Sequence, residues 1–160
     1  MPTQIGADFD ATMTAAERTA SGKGFTVGDR VTSYDGKEYV YVVAGSAITA
    51  NFFCKFSEAY SADMLSTSND AYGGLVGVPE ATIASGSYGW LQVKGPATVQ
   101  VSASCAANAR LNTTATAGQL DDDATTGAFP VAGVVLTSAR AASAGTAPAV
   151  LNYPQQGVVI

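Results

Sequence analysis

The chain changes character at Phe25, where short runs of alternating apolar and polar residues begin. The runs 30–34 and 37–43 flank Asp35-Gly36. An Asp-Gly pair between two β-rich runs favours a type I′ turn, which needs positive φ at both central residues. These residues therefore predict a β-hairpin.

Six further strands are predicted, over residues 48–56, 75–79, 110–113, 118–120, 129–137 and 147–153. Pro79 indicates an edge position for its strand, because proline cannot donate a ladder hydrogen bond. The 129–137 run is apolar on both faces, which is typical of a central strand. Pro154 is predicted to end the last strand. The Ala-Asn pairs that end at Asn51 and Asn108 resemble each other, and each is interpreted as a turn. Asparagine tolerates the left-handed conformation that such a turn requires.

Residues 86–101, GSYGWLQVKGPATVQV, predict a second hairpin that turns at Lys94-Gly95-Pro96. Leu91 and Val93 lie on one face of its first strand, and the opposite face carries Tyr88, Trp90, Gln92 and Lys94. That second face either meets a partner or is covered within the chain, with Trp90 beneath the Gly73-Gly74 loop.

Residues 1–24 have few large apolar side chains, and we interpret them as an extended N-terminal arm. Asp10 is positioned to cap a short helix from Ala11 to Ala20. The arm's apolar residues Ile5, Phe9 and Met13 are too few to hold it, so we expect a neighbouring subunit to do so. A second short helix is predicted over 57–65, with Ser57 as its cap.

Short strands separated by glycine-rich turns indicate a mainly β fold, a small β-barrel or β-sandwich with this arm and one short helix. We place the arm at residues 1–24 and the β-domain at residues 25–160. The N-terminus has no basic region followed by an apolar core, so no signal peptide is expected. The apolar stretch 129–136 is far shorter than a membrane span, and no membrane partner is expected.

Charge and composition argue against several functions. Charged residues make up only 13% of the chain, the net charge is −5, and the eight basic residues are scattered singly. No basic patch is present to bind a phosphate backbone, so nucleic acid is not an expected partner. The absence of histidine excludes Ser-His-Asp and Cys-His nucleophiles. We expect no cofactor and no enzymatic activity.

Two smaller features leave alternatives open. Cys54 and Cys105 are expected to be buried free thiols, although two cysteines are also compatible with a disulfide. Asp121-Asp122-Asp123 form either a solvated loop or a calcium site, since calcium prefers carboxylate oxygens.

Three segments together resemble the head decoration, or cement, proteins of tailed bacteriophages, in particular those built on the small barrel called a β-tulip. They are YGWLQVKGPATV at 88–99, ATAGQLD at 115–121 and VAGVVL at 131–136. The upstream run DGKEYVYV at 35–42 is similar to marine-phage virion proteins. The resemblance is loose over residues 28–153 and best over 86–136, and the 56–86 insert is longer than in that family.

The resemblance implies a virion protein, made in the host cytoplasm, that binds the outer face of the capsid as a homotrimer. Its partner would be the major capsid protein, whose contacts it would clamp, with the arm reaching a neighbour. The expected interaction residues are Ile5, Phe9, Met13, Tyr88, Trp90 and Gln92. The alternatives are a head-fibre base or tail-associated virion domain, and a carbohydrate-binding module with Tyr88 and Trp90 as its stacking platform.

Overall fold

The computed structural model describes residues 7–21, 25–68 and 72–158. The fold is mainly β, as predicted, with one short helix among the described residues. The helix is α1 (Ala15–Ser21), and the strands are β1 (Arg30–Thr32), β2 (Glu38–Ala44), β3 (Cys54–Phe56), β4 (Ser61–Met64), β5 (Leu75–Gly77), β6 (Tyr88–Val101), β7 (Leu111–Thr113), β8 (Leu120–Asp121), β9 (Pro130–Leu136) and β10 (Gly145–Gln156).

All ten strands belong to one sheet in the order β1-β2-β4-β3-β5-β10-β6-β8-β7-β9, with additional pairings β2–β6 and β9–β10. The barrel, sandwich or β-tulip form of this sheet and the domain boundary at residue 24 remain predictions. The buried apolar residues form two large cores and a smaller aromatic cluster. One large core contains Leu91 and Val93 of β6, and the other contains Val99 and Val101 at the far end of the same strand.

The first predicted hairpin is confirmed, but its turn is of another type. β1 and β2 pair antiparallel, and Ser33 N donates to Lys37 O at 2.8 Å. Only Gly36 of the Asp35-Gly36 pair has positive φ, at 84°. The loop is thus three residues long and ends in a left-handed glycine, a common alternative to the type I′ turn.

The second predicted hairpin is wrong, because residues 88–101 form a single strand, β6. Its first half pairs with β2 and its second half with β10. The pairing of β6 with β2 shifts register between Gln92 and Lys94, and Gly95, the next residue, has a φ of 96°. The Gly-Pro pair thus follows an irregularity within a strand. The predicted alternation of faces along its first half is nevertheless confirmed.

Several other predictions need correction. The 57–65 helix is wrong: a turn at Ser57–Tyr60 leads into β4, and Tyr60 has a φ of 56°. The 48–56 strand is shortened to β3. β5 is not an edge strand, because it pairs with both β3 and β10 while Pro79 lies beyond its end. β10 continues past Pro154 to Gln156, since the proline lies where its pairing with β9 shifts register.

Other expectations hold. β9 pairs with both β7 and β10 and is central. Cys54 and Cys105 are buried free thiols. Asn51 and Asn108 both have positive φ, at 67° and 57°. No described helix is long and apolar enough to cross a membrane.

The helix begins later than predicted, and its cap is Thr14 rather than Asp10. Thr14 Oγ1 accepts from Glu17 N at 3.2 Å, and Thr14 N donates to Glu17 Oε2 at 2.8 Å. This reciprocal pair is a capping box, which satisfies two otherwise unpaired amides at the helix start. The hydrogen bonds also lower the pKa of the Glu17 carboxyl.

Candidate interaction surface

An aromatic cluster covers one face of β1, β2 and β6. We call it the aromatic face. Its buried members are Val31, Tyr39, Tyr41 and Trp90, and the residues packed on them are Ala7, Phe9, Phe25, Val27 and Tyr88. The chain's own N-terminal segment therefore lies on the sheet face for which a partner was expected.

Ring contacts fix this arrangement. Phe9 stacks on Tyr39 with ring centroids 3.9 Å apart, and its edge meets Trp90 at 5.7 Å. Phe25 contacts Trp90 at 4.8 Å in an edge-to-face geometry. Trp90 is left only 3% exposed. Trp90 is thus a core residue, but the segment that covers it is N-terminal and not the Gly73-Gly74 loop.

Backbone and charge contacts extend the docking of this segment. Met13 N donates to Tyr88 O at 3.0 Å, and Tyr88 N donates to Met13 O at 2.7 Å. The pair adds a single antiparallel bridge at the start of β6. In addition, the Arg18 guanidinium lies 4.6 Å from the centre of the Tyr88 ring, and Arg18 Nη2 donates to Phe25 O at 3.0 Å.

Tyr39 is anchored at its other end by Glu80. The Tyr39 hydroxyl donates to Glu80 Oε1 at 2.7 Å, and Lys37 Nζ lies 3.4 Å from the same oxygen. Burial, with the Glu80 hydrogen bond second, raises the pKa of the Tyr39 phenol. The ring cannot turn away from Phe9 without breaking the hydrogen bond from its hydroxyl to Glu80.

Gln92 lies apart from the aromatic face. Its Nε2 donates to Lys94 O at 3.0 Å and to Pro96 O at 2.8 Å, which braces the irregular part of β6. It is buried and lines a cleft of about 520 Å³ that also contains Lys37 and Glu80. The structure thus brings together Phe9, Met13, Tyr88 and Trp90, while Ile5 lies outside the described residues. Whether any of them contacts a partner remains a prediction.

Sequence reasoning missed the aromatic residues Phe25, Tyr39 and Tyr41 of this face, and Arg18, which lies over the Tyr88 ring. A signal for two of them was present, because Tyr39 and Tyr41 are two residues apart on a strand and must lie on the same face. Phe25 and Arg18 carry no such signal, since their place depends on how the segments before β1 cross the sheet.

A second surface is exposed on the strands β6, β9 and β10. We call it the outer face. Val150 of β10 pairs directly with Val135 of β9 and with Pro96 of β6, and Val150 is 41% exposed. The exposed residues of the outer face are Pro96, Thr98, Val135, Thr137, Thr146, Pro148, Val150 and Asn152. None of these eight is charged. At the margin of the face, the Lys94 side chain lies across from Asn152, is 43% exposed and is paired with Glu38.

Neither the models of known protein families nor the curated proteins compared with this chain give a match.

Proposed function

We propose that this chain is a non-enzymatic virion protein that binds the outer surface of a bacteriophage head and stabilises contacts between major capsid proteins. The observation that carries the proposal is the outer face: eight exposed side chains on three adjacent strands are uncharged, and the charge at the margin of this face, Lys94, is paired with Glu38. The centres of protein interfaces are depleted in charge in the same way. The sequence resemblance over residues 86–136 supplies the identity of the partner.

The chemistry of the chain is consistent with a mechanical role. Many copies, each burying a modest area, stabilise a shell because they bind the assembled lattice and not its separated subunits. The net charge of −5 and the scattered basic residues suit the side of a shell away from DNA. We propose a homotrimer as the bound form.

The N-terminal segment has a different place in this proposal from the one that the resemblance implies. Its contacts with the aromatic face are made within one chain, so residues 7–21 do not need a neighbour to hold them. A capsid contact by the arm is then left to residues outside this docked segment.

Co-sedimentation with expanded empty phage shells, preceded by light scattering of the purified chain, tests the proposal. The wild-type chain is expected to saturate the shells at a fixed ratio and to raise their melting temperature. Val150→Lys, which places a charge in the outer face, should abolish binding. Val158→Lys is the matched control, because Val158 is exposed outside that face.

Two results would count against the proposal. A chain that ignores shells would contradict it and favour a head-fibre or tail role. Equal loss of binding in both lysine variants would show that the outer face is not the contact. The carbohydrate-binding alternative is less well supported, because Phe9, Phe25 and Arg18 already contact the Trp90 and Tyr88 rings that a sugar would need.

A further inference from the structure

A cleft of about 520 Å³ opens at the margin of the outer face. Three members of that face, Pro96, Thr98 and Pro148, line it. Its polar lining includes the side chains of Glu80 and Gln92. The cleft is therefore continuous with the surface that we propose as the contact with the shell.

Gln92 supplies one hydrogen-bond acceptor to the cleft. The residue is only 1% exposed, and its Nε2 is satisfied by Lys94 O and Pro96 O. Its Oε1 accepts no hydrogen bond from the part of the chain that the structure describes. Because the polar atoms of buried side chains are nearly always hydrogen-bonded, this oxygen indicates an occupant that donates to it.

Glu80 supplies a second acceptor, and Tyr39 connects it to Gln92. Gln92 pairs with Tyr39 across β2 and β6, and the Tyr39 hydroxyl donates to Glu80 Oε1 at 2.7 Å. Glu80 Oε2 accepts no hydrogen bond from any described residue. A carboxylate oxygen and an amide oxygen are thus both left to an occupant of the cleft.

The charge beside the cleft favours a cationic occupant. Lys37 Nζ lies 3.4 Å from Glu80 Oε1 and 3.8 Å from Asp35 Oδ2, so two carboxylates share one ammonium. One ammonium and two carboxylates leave this group with a net charge of −1. A cation with several N–H donors would complement both the charge and the two free acceptors.

We propose that the cleft receives an arginine side chain of the major capsid protein. The inference rests on the proposed function, because the outer face places that partner at the rim of the cleft. A guanidinium presents its N–H donors in a rigid fork and can bond Glu80 and Gln92 together, whereas the ammonium of lysine is a compact point charge. The apolar side chains of Pro79 and Pro96 line the same cleft, where the methylene stem of an arginine would pack. Arginine is also among the residues that most often dominate the binding energy of an interface.

The first test uses the full chain without shells and N-acetyl-arginine methylamide as the probe. In an NMR titration the probe is expected to shift the side-chain amide signal of Gln92 saturably. The citrulline analogue, which has a similar shape but no charge, should give no saturable shift. Glu80→Gln should weaken binding of the probe by more than about tenfold, because it removes the charged acceptor. Tyr39→Phe is the matched control, since it removes the hydrogen bond to Glu80 but keeps the carboxylate.

Lys37→Gln keeps the test decisive if Glu80→Gln fails to fold. The substitution removes the ammonium that now shares the Glu80 carboxylate. It should tighten binding of the arginine probe by about two- to fivefold, which is the scale of a partly exposed ion pair. A residue with a merely structural role would not strengthen binding when it is replaced.

Co-sedimentation with expanded phage shells tests the source of the arginine. Glu80→Gln should weaken shell binding by more than about tenfold, and the arginine probe should compete with the shells. Probe binding by a chain that ignores shells would overturn the capsid source together with the proposed function. Shell binding without a saturable probe shift, shell binding that Glu80→Gln leaves unchanged, or equal losses in Glu80→Gln and Tyr39→Phe would overturn the cleft inference alone.

Discussion

At the scale of single residues, Gly133 shows how closely β9 approaches β10. Its φ is 78°, and a Cβ atom added there would lie 2.6 Å from Asn152 O and 3.1 Å from Pro154 Cα. The neighbouring atoms are backbone and proline ring atoms, which cannot move aside as a flexible side chain can. Tyr153, which lies between them, has a φ of 49°. The irregular pairing of the two strands thus depends on a residue without a side chain.

We therefore expect Gly133→Ala to destabilise the protein by more than the cost of a left-handed alanine, which is about 1–2 kcal/mol. Overpacking against the β10 backbone should add roughly 1–3 kcal/mol. Urea unfolding measures the sum of these two losses of stability. Gly127→Ala is the control, because Gly127 also has positive φ, at 85°, but has open space around it. Equal losses in the two variants would show that no steric contact limits position 133.

Glu38 joins three strands through its carboxylate. Lys94 Nζ of β6 lies 2.9 Å from Glu38 Oε1, and the Tyr153 hydroxyl of β10 donates to Glu38 Oε2. The hydrogen bond from Tyr153, followed by that from Lys94, lowers the pKa of Glu38 from its ordinary value of 4.5. A carboxyl with a lowered pKa in the folded state stabilises that state while it is ionised.

The stabilisation by Glu38 should be fully present above pH 4.5 and should be lost as the pH falls through the lower pKa of the folded state. The difference in unfolding free energy between wild type and Glu38→Gln is thus expected to be largest near neutral pH and to shrink in acid. Denaturant unfolding at a series of pH values measures it. Glu58→Gln, at an exposed turn position, serves as the control. A difference that stays constant with pH would contradict this account.

At the scale of elements, only a few contacts hold residues 7–21 on the aromatic face. One backbone bridge, the Phe9 ring and the Arg18 guanidinium connect this segment to β2, β6 and the residues before β1. Trp90 is the only tryptophan in the chain and is covered by Phe9 and Phe25. Its fluorescence therefore reports on whether the segment is docked.

Phe9→Ala should shift the Trp90 emission to longer wavelength and destabilise the protein by about 1–3 kcal/mol, less than a fully buried Phe→Ala change. Tyr34→Ala is the control, because Tyr34 is 100% exposed at the tip of the β1–β2 hairpin. An unchanged emission in Phe9→Ala would show that the segment does not cover Trp90 in solution.

The elements also show what the sequence could and could not predict. Asp35-Gly36 marks a real hairpin because the flanking strands are local partners of each other. Lys94-Gly95-Pro96 has similar local chemistry, yet it lies inside β6, because its partners β2 and β10 are distant in sequence. The residues that cover Trp90 depend on the same kind of long-range contact. The Cys105 thiol lies close to the carboxylates of Asp121 and Asp122, and this contact between distant segments was likewise not predicted.

At the scale of the whole molecule, β6 contributes to both large cores. Leu91 lies in one core and Val99 in the other, on the same strand. A strand that loses its packing at one end also weakens its pairing at the other. The two cores should therefore unfold together.

Leu91→Ala in one core and Leu111→Ala in the other should each shift a single unfolding transition, by about 2–5 kcal/mol. Both leucines are fully buried. Trp90 fluorescence and far-ultraviolet circular dichroism are expected to give the same midpoint in each variant. Two separate transitions, one affected by each substitution, would show that the cores are independent.

The position of β10 in the sheet has a consequence for how the protein is made. β10 follows the other nine strands in sequence, yet it pairs with β5, β6 and β9. Residues up to Gln156 must therefore emerge from the ribosome before β5, β6 and β9 can all pair with β10. Until then the nascent chain carries unpaired strand edges, which readily join other chains. Folding of this sheet is consequently expected to be completed only once β10 has been made, and chaperones that shield β-strands should matter most until then.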